Sequence, residues 1–338
     1  MATGFALNLL FLLSLFFASL SNAGHPAWEA GATTVTSEWI HIDPSWEFPT
    51  WPSETIRYYF NSPTSKERLS SDIRAAWQLW YAAGLPETFR FVEFPKWRCE
   101  REPDSCLRVI GDEEEVSFYT SIAKQRIDPW DRIAMYVVFE GNEDEFDRAL
   151  MIAHEIGHAW GLIHEHQNPL YWQWAYYDTR PDSLFQFYCA NVIGYDEIAH
   201  QINNTRELWS ENGPCRSQLR ALEMGFYAAD IIPWQSRYQS PHHLWPHDSD
   251  VDWDSIMIYG SYFFGAPDEQ GNNKVTLLRM KGLQVIPEPS TVTEFDIFGM
   301  LHLYHPKWGK FLDVFHNDES SPWYTIFQGK IKSCPIKT

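Results

Sequence analysis

The chain has 338 residues, of which 44% are hydrophobic and 16% aromatic, so it can bury a sizeable core and is not an intrinsically disordered protein. Acidic residues outnumber basic ones by 45 to 26, which gives a formal charge of -19 at pH 7. A surface this acidic repels nucleic acid and anionic lipid, so neither is an expected partner.

The beginning of the chain predicts export from the cell. Residues 7–20 form an apolar run that is too short to span a bilayer comfortably, and small residues follow at 21–23. We therefore predict a signal peptide at residues 1–23, an N-terminal arm or propeptide at 24–50, and a secreted, extracellular protein without stable membrane insertion. The sequon that begins at Asn203 predicts a glycosylated surface loop.

Five cysteines fit the oxidising compartment that export implies. None of them lies in a CxxC metal pattern, so we interpret them as structural. Two disulfides with one cysteine left over are expected, and several pairings are possible. We favour Cys99–Cys106 as a local bridge and Cys189–Cys215 as a loop staple, which leaves Cys334 over.

The first elements predicted after the arm are a strand, a long helix and several more strands. Residues 56–60 are rich in β-branched and aromatic side chains and predict a strand. Thr64 with Glu67 then predicts a capping box, and Gly84 predicts the end of that helix. The helix carries an apolar stripe that predicts a core face: Leu69, Ile73, Ala76, Trp77 and Trp80. Further strands are predicted at 89–94, 106–110, 116–119 and 133–139.

A second helix, predicted from about Asp147 to Gly161, carries a histidine pair suited to a metal. His154 and His158 lie four residues apart, so both imidazoles leave the same face of the helix. Gly161 can end the helix in a left-handed conformation and turn the chain, which brings His164 back as a third ligand. Three histidines leave the fourth position of Zn²⁺ open, as catalytic zinc requires.

Glu155 completes this motif. It is rotated by about 100° from His154 around the helix, so it can act on water beside the metal without binding the metal. A bare HExxH occurs by chance on amphipathic helices, but here the longer pattern HExxHxxGxxH is complete. That longer pattern is the metzincin motif, and the chain resembles a metzincin metallopeptidase.

The chain beyond the third histidine predicts helices at about 183–201 and 216–227, and a last helix opened by Thr293 with Asp296. This last helix carries apolar residues on one face: Ile297, Leu301 and Tyr304. Residues 307–338 show little pattern and are interpreted as a C-terminal extension.

Two further features resemble the astacin family of metzincins. Residues 254–259 (DSIMIY) lie about 90 residues after His164 and are similar to the family's SxMxY Met-turn. The resemblance implies that Met257 underlies the zinc ligands and that Tyr259 is a movable fifth ligand able to hold an oxyanion. Glu165 matches the family's glutamate that contacts the new chain N-terminus after propeptide removal.

The chain also departs from the family, which marks it as a divergent member. The family continues after this glutamate with Arg and Asp residues, where this chain has Gln167 and Asn168-Pro169. The cysteine that precedes the zinc helix in the family is absent, because Glu140 or its neighbours occupy that place. No clear FxGD-type propeptide aspartate is present.

The resemblance implies an α+β, zincin-like catalytic domain at residues 51–306. It would have a mixed sheet with helices in an N-terminal subdomain, a zinc cleft, and an irregular C-terminal subdomain with a closing helix. We expect a monomeric zinc endopeptidase with one Zn²⁺ per chain, which hydrolyses protein or peptide substrates with Glu155 as general base. The alternatives are a catalytically weak or inactive binding protein on the same scaffold, and a member of another metzincin subfamily.

Overall fold

The computed structural model describes residues 50–112, 118–124, 132–139, 141, 143–168, 171–172, 183–202, 204–233 and 248–305. These residues all belong to one unit of the chain, Glu38–Pro306. The predicted signal peptide, the arm up to residue 49 and the C-terminal extension lie outside the described residues, and the domain boundaries stay predictions.

A five-stranded mixed sheet dominates the first half of the described chain. Its strands are β1 (Thr55–Phe60), β2 (Arg90–Glu93), β3 (Leu107–Ile110), β4 (Phe118–Thr120) and β5 (Ala134–Val137). In the order β2-β1-β3-β5-β4, all neighbouring strands are parallel except β4, which pairs antiparallel with β5. Strands β3 and β5 are buried over most of their length, as expected for strands covered on both faces.

Three helices accompany this sheet: α1 (Pro63–Ala82), α2 (Lys96–Cys99) and α3 (Glu145–Trp160). The predicted apolar stripe of α1 is buried. The indole N–H of Trp80 on α1 donates to the carbonyl of Ala153 over 3.0 Å, and Trp77 stacks on Trp160 with ring centroids 5.9 Å apart. Helix α1 therefore supports the helix that carries the histidine motif.

The predicted cap of α1 at Thr64 is wrong. Ser62 is the N-cap, and its hydroxyl oxygen accepts a hydrogen bond from the backbone N–H of Ser65 over 3.0 Å. Pro63 occupies the first turn directly after it, where the missing N–H of proline has no intrahelical partner to lose. The cap therefore lies two residues before the predicted position.

The second half of the described chain has shorter elements. They are β6 (Phe185–Phe187), α4 (Tyr195–Ile202), α5 (Thr205–Leu208), α6 (Gln218–Glu223), β7 (Leu277–Arg279), β8 (Gln284–Val285) and α7 (Glu294–Tyr304). The strands form an antiparallel sheet in the order β6-β7-β8. The helix predicted at 183–201 is therefore wrong in its first half, where β6 pairs with β7. The predicted α+β fold with a mixed sheet and a closing helix is confirmed.

The closing helix α7 connects the two halves. Its predicted capping box is confirmed, since Thr293 and Asp296 exchange hydrogen bonds between side chain and backbone. The carboxylate of Asp296 also accepts from the backbone N–H of Ile256 over 3.0 Å, and the hydroxyl of Tyr304 donates to the carbonyl of Trp160 over 3.1 Å. Helix α7 thus fixes the 254–259 segment relative to the end of α3.

Both predicted disulfides are present, Cys99–Cys106 and Cys189–Cys215. Cys334 and Asn203 lie outside the described residues, so the free cysteine and the glycosylation site stay predictions. Within the described part of the chain, no helix combines the length and the apolar character needed to cross a membrane.

Candidate metal centre and active site

The end of α3 and the turn after it bring three histidines together. Helix α3 begins after Asp144, whose side chain accepts from the backbone N–H of Asp147, and it ends at Gly161 with φ of 114°. A Cβ at Gly161 would lie only 2.7 Å from Cδ2 of Leu303. The backbone conformation therefore requires glycine here, and a larger residue would also have to displace the Leu303 side chain. The turn that Gly161 makes returns the chain to place His164 beside α3.

The three imidazoles converge through their Nε2 atoms. Nε2 of His164 lies 3.2 Å from Nε2 of His154 and 3.1 Å from Nε2 of His158. Nitrogens bound to one tetrahedral Zn²⁺ at 2.0–2.1 Å lie about 3.3 Å apart, so the spacing matches. Among the described residues, these three form the one group of His, Cys, Asp or Glu side chains that could hold a metal ion.

Hydrogen bonds fix the tautomers of all three rings. Nδ1 of His154 and of His158 faces a backbone carbonyl oxygen, at 2.7 and 2.8 Å. Nδ1 of His164 faces the side-chain oxygen of Gln167 at 2.8 Å. Because these oxygens only accept, each Nδ1 carries the hydrogen and each Nε2 presents a lone pair to the other two. Three converging lone pairs repel one another unless a cation lies between them, so the donor set fits a metal ion.

Burial keeps these rings neutral, which is the form that binds metals. It lowers the pKa of His154 to about 4 and that of His158 to about 3. The pKa of His164 is also held well below its usual value, chiefly by burial. At neutral pH the site therefore needs no deprotonation before a metal binds.

Glu155 follows His154 on α3 and is buried, with 6% of its surface exposed. Among the described residues, no donor lies at normal hydrogen-bond geometry from its Oε2 atom, although the Thr120 hydroxyl is near enough to oppose part of the effect of burial on its pKa. Such an acceptor is expected to meet water or a ligand. Burial raises the pKa of Glu155 to about 7. A carboxyl group with a pKa near neutrality suits general acid–base chemistry.

Met257 and Tyr259 both pack against the histidine motif. A Cβ on Gly157 of α3 would lie 2.4 Å from Sδ of Met257, so this methionine packs directly under the histidine helix. The ring centroid of Tyr259 lies 4.2 Å from that of His164 and 6.1 Å from that of His154. Burial raises the pKa of Tyr259 well above its usual value, so the phenol stays protonated and can donate a hydrogen bond.

Two further residues support the site, although no pattern in the sequence predicted their roles. Gln167 accepts from His164, and its own side-chain nitrogen donates to the carbonyls of Ala229 and Ile232 over 2.9 and 3.1 Å. The ring of His166 stacks on His164 with centroids 5.1 Å apart. The only signal in the sequence for the roles of Gln167 and His166 is that both lie close to His164. Their carbonyl partners lie more than 60 residues later, so no local motif contains them.

Glu165 directly follows His164, and its carboxylate accepts hydrogen bonds from two groups of the surrounding chain. Its Oε1 atom accepts from the hydroxyl of Tyr171 over 2.9 Å and from the backbone N–H of Asp252 over 3.2 Å. Burial, reinforced by the charge of Asp252, raises the pKa of Glu165 to about 8. The contact with a new chain N-terminus stays a prediction, because it depends on where a propeptide is cleaved.

Comparison with known proteins finds similar solved structures, while no protein-family model and no curated protein sequence matches the chain. High choriolytic enzyme 1, a hatching enzyme zinc-protease from Oryzias latipes (medaka fish), is 15% identical with a TM-score of 0.41, over 78% of this chain and 96% of that one. Two structures of myroilysin are 16% and 17% identical, both with a TM-score of 0.39. They cover 75% of this chain and 95% and 85% of their own chains. Identities and TM-scores this low carry no argument about the chemistry of the site, which is therefore inferred from the residues of this chain alone.

Proposed function

We propose that this chain is a secreted zinc-dependent endopeptidase. The observation that carries the proposal is the convergence of the Nε2 atoms of His154, His158 and His164. Glu155 follows His154 on α3, and its buried Oε2 atom has no hydrogen-bond partner of normal geometry among the described residues. Three neutral imidazoles with a fourth position open are the donor set of catalytic zinc. A held Zn²⁺ ion, one per chain, would supply Lewis-acid chemistry that polarises a carbonyl and lowers the pKa of water.

Glu155 is the general base in this proposal. Its carboxylate takes a proton from the attacking water and then passes that proton to the nitrogen of the leaving amine. Burial raises the pKa of this carboxyl group above its usual value, while the charge of a bound Zn²⁺ ion would lower it again. Its burial also keeps bulk water from competing for that proton.

Tyr259 is the oxyanion stabiliser. The ring lies against His164, and the raised pKa keeps the phenolic hydrogen in place. A protonated hydroxyl can donate to the carbonyl oxygen of the substrate as that oxygen gains negative charge. Met257 below α3 and Gln167 beside His164 act by positioning and do not touch the substrate.

The substrate is a protein or peptide, and the enzyme acts outside the cell as a monomer. Two disulfides support an oxidising compartment, and the predicted signal peptide provides the route to it. The net charge of -19 argues against nucleic acid as a partner.

Chelation of the purified full chain tests the proposal. Incubation with a zinc chelator should abolish hydrolysis of a mixed peptide substrate, and addition of Zn²⁺ should restore it. Hydrolysis that continues in a protein shown by elemental analysis to be zinc-free would overturn the proposal. A zinc-loaded protein that cleaves no peptide would favour the inactive binding protein instead.

A further inference from the structure

A continuous row of aromatic rings leads from the metal centre to the surface. The centroid of Phe263 lies 4.2 Å from that of Tyr259, and the centroid of Phe264 lies 4.7 Å from that of Phe263. Tyr227 stacks on Phe264 at 4.8 Å. We call the rings of Phe263, Phe264 and Tyr227 the aromatic row. Its first member touches the residue proposed to hold the oxyanion.

Two members of the row are exposed although they are large and apolar in character. Phe263 is 40% exposed and Tyr227 is 47% exposed. Single exposed aromatics are common on protein surfaces, but a connected set beside a reactive centre is a feature of binding sites. Because the row begins at Tyr259, its exposed rings lie within reach of a substrate held at the metal centre.

The backbone of this row is strained. Phe264 has φ of 54°, a left-handed conformation that bulky residues rarely adopt. Such a conformation persists only where the surroundings hold it. Contacts with other segments, rather than local backbone preference, therefore determine this turn.

Hydrogen bonds from two separate segments fix the row. The hydroxyl of Thr276 donates to the carbonyl of Phe263 over 2.8 Å, and the backbone N–H of Ile193 donates to the carbonyl of Phe264 over 2.9 Å. The segment that contains Ile193 is itself tied down by the Cys189–Cys215 disulfide. Rings held in this way lose little freedom when a ligand binds, which favours affinity.

We propose that the aromatic row binds an aromatic side chain of the peptide substrate, within two residues of the scissile bond. The inference rests on the proposed function, because the reacting carbonyl must lie between Glu155 and Tyr259. An extended peptide advances by about 3.3 Å per residue. A side chain close to that carbonyl therefore reaches Phe263, and aromatic pairs attract at centroid separations of about 4.5–7 Å.

The test measures kcat/KM of the zinc-loaded full chain on a matched peptide set. The cleavage site of one peptide is mapped first. Each of the two residues on either side of that site is then replaced, one at a time, by Phe, Leu, Ala or Arg. We expect Phe to be preferred at one of these positions. Phe263→Ala should lower kcat/KM for the Phe peptide there about tenfold more than for the Ala peptide, because any disturbance of the neighbouring Tyr259 affects both peptides alike.

Tyr262→Ala is the matched control. Tyr262 lies next to Phe263 in the same turn and is 42% exposed, yet it is not part of the row. Its removal should leave the preference for Phe unchanged. If Phe263→Ala fails to fold, Tyr227→Ala at the far end of the row is the second variant. It should weaken the same preference for Phe.

Three results would overturn the inference: a preference for Arg over Phe, an equal loss on Phe and Ala peptides in Phe263→Ala, or an equal effect of Tyr262→Ala. Fluorescence anisotropy of labelled Phe and Ala peptides on zinc-loaded Glu155→Gln measures binding without turnover. If the Phe peptide binds more tightly than the Ala peptide and Phe263→Ala removes this difference, the result supports the aromatic row. This holds even if no peptide is cleaved, because the absence of cleavage would overturn only the proposed function. Equal binding of the two peptides would overturn the row.

Discussion

The side chain of Gln167 connects His164 to the segment of Ala229 and Ile232, which lie 62 and 65 residues after Gln167. Its oxygen accepts from Nδ1 of His164 over 2.8 Å, while its nitrogen donates to the carbonyls of Ala229 and Ile232. His164 comes from a turn rather than from α3, so it lacks the support that a helix gives the other two histidines. Gln167 therefore sets both the tautomer and the direction of the third ligand.

Gln167→Leu should lower zinc affinity about 10–100-fold, because the variant keeps the volume but removes the acceptor that orients His164. Competition with a chromogenic chelator measures the zinc dissociation constant. Gln186→Leu is the matched control, since the Gln186 side chain is half-buried and, within the described part of the chain, bonds only the carbonyl of Phe187. An unchanged zinc affinity in a folded Gln167→Leu protein would contradict this role.

Gly157→Ala should destabilise the protein even though alanine is the better helix former. The new Cβ would lie 2.4 Å from Sδ of Met257 and 3.2 Å from Cζ2 of Trp80, so the added methyl group overpacks the floor of the site. We expect a loss of about 1–3 kcal/mol in the free energy of unfolding, measured by urea titration.

A double variant tests whether the overlap with Met257 is the cause. Met257→Ala creates space directly below the new methyl group, so the cost of Gly157→Ala should shrink in that background. If the two costs simply add, the clash with Met257 does not explain the effect of Gly157→Ala.

The pKa of Asp252 predicts a pH-dependent stability. Burial, followed by the neighbouring charge of Asp296, raises it to about 7 from an unfolded value of about 3.9. Between these values the folded state holds more protons than the unfolded state, so this contribution to stability is present at low pH and is lost as the pH rises through 7. Asp252→Asn removes the titration. Its melting temperature relative to the wild type should therefore increase from pH 5 to pH 8.

Thermal unfolding of both zinc-loaded proteins at pH 5, 6.5 and 8 provides the measurement. Comparison at each pH cancels the opposite contribution of the buried histidines, whose lowered pKa values add stability as the pH rises towards 6.5. The same melting difference at all three pH values would show that Asp252 does not titrate in this range.

Local patterns in the sequence were sufficient for the centre of the site and for part of the fold. The spacing of His154 and His158, the glycine at 161 and the capping box of Thr293 each depend on residues within a few positions of one another. The buried stripe of α1 follows in the same way from helical periodicity. The Met257 segment needed a family resemblance, because its contact with α3 spans about 100 residues.

The remainder depends on contacts that no local pattern encodes. Residues 185–187 form a strand because β7, about 90 residues later, pairs with them, and this overrides the helical pattern predicted for 183–201. The partners of His166 and Gln167 are backbone carbonyls, which every residue possesses, so the sequence does not distinguish them. The aromatic row likewise joins Tyr227 to Phe264 across 37 positions.

Glu155→Gln tests the central claim most directly, because it keeps the shape of the side chain and removes its ability to accept a proton. Zinc content and peptide turnover should be measured on the same preparation. The proposal predicts one zinc per chain, as in the wild type, with turnover reduced about 10²–10⁴-fold. A zinc-loaded Glu155→Gln protein that cleaves peptides at the wild-type rate would contradict it.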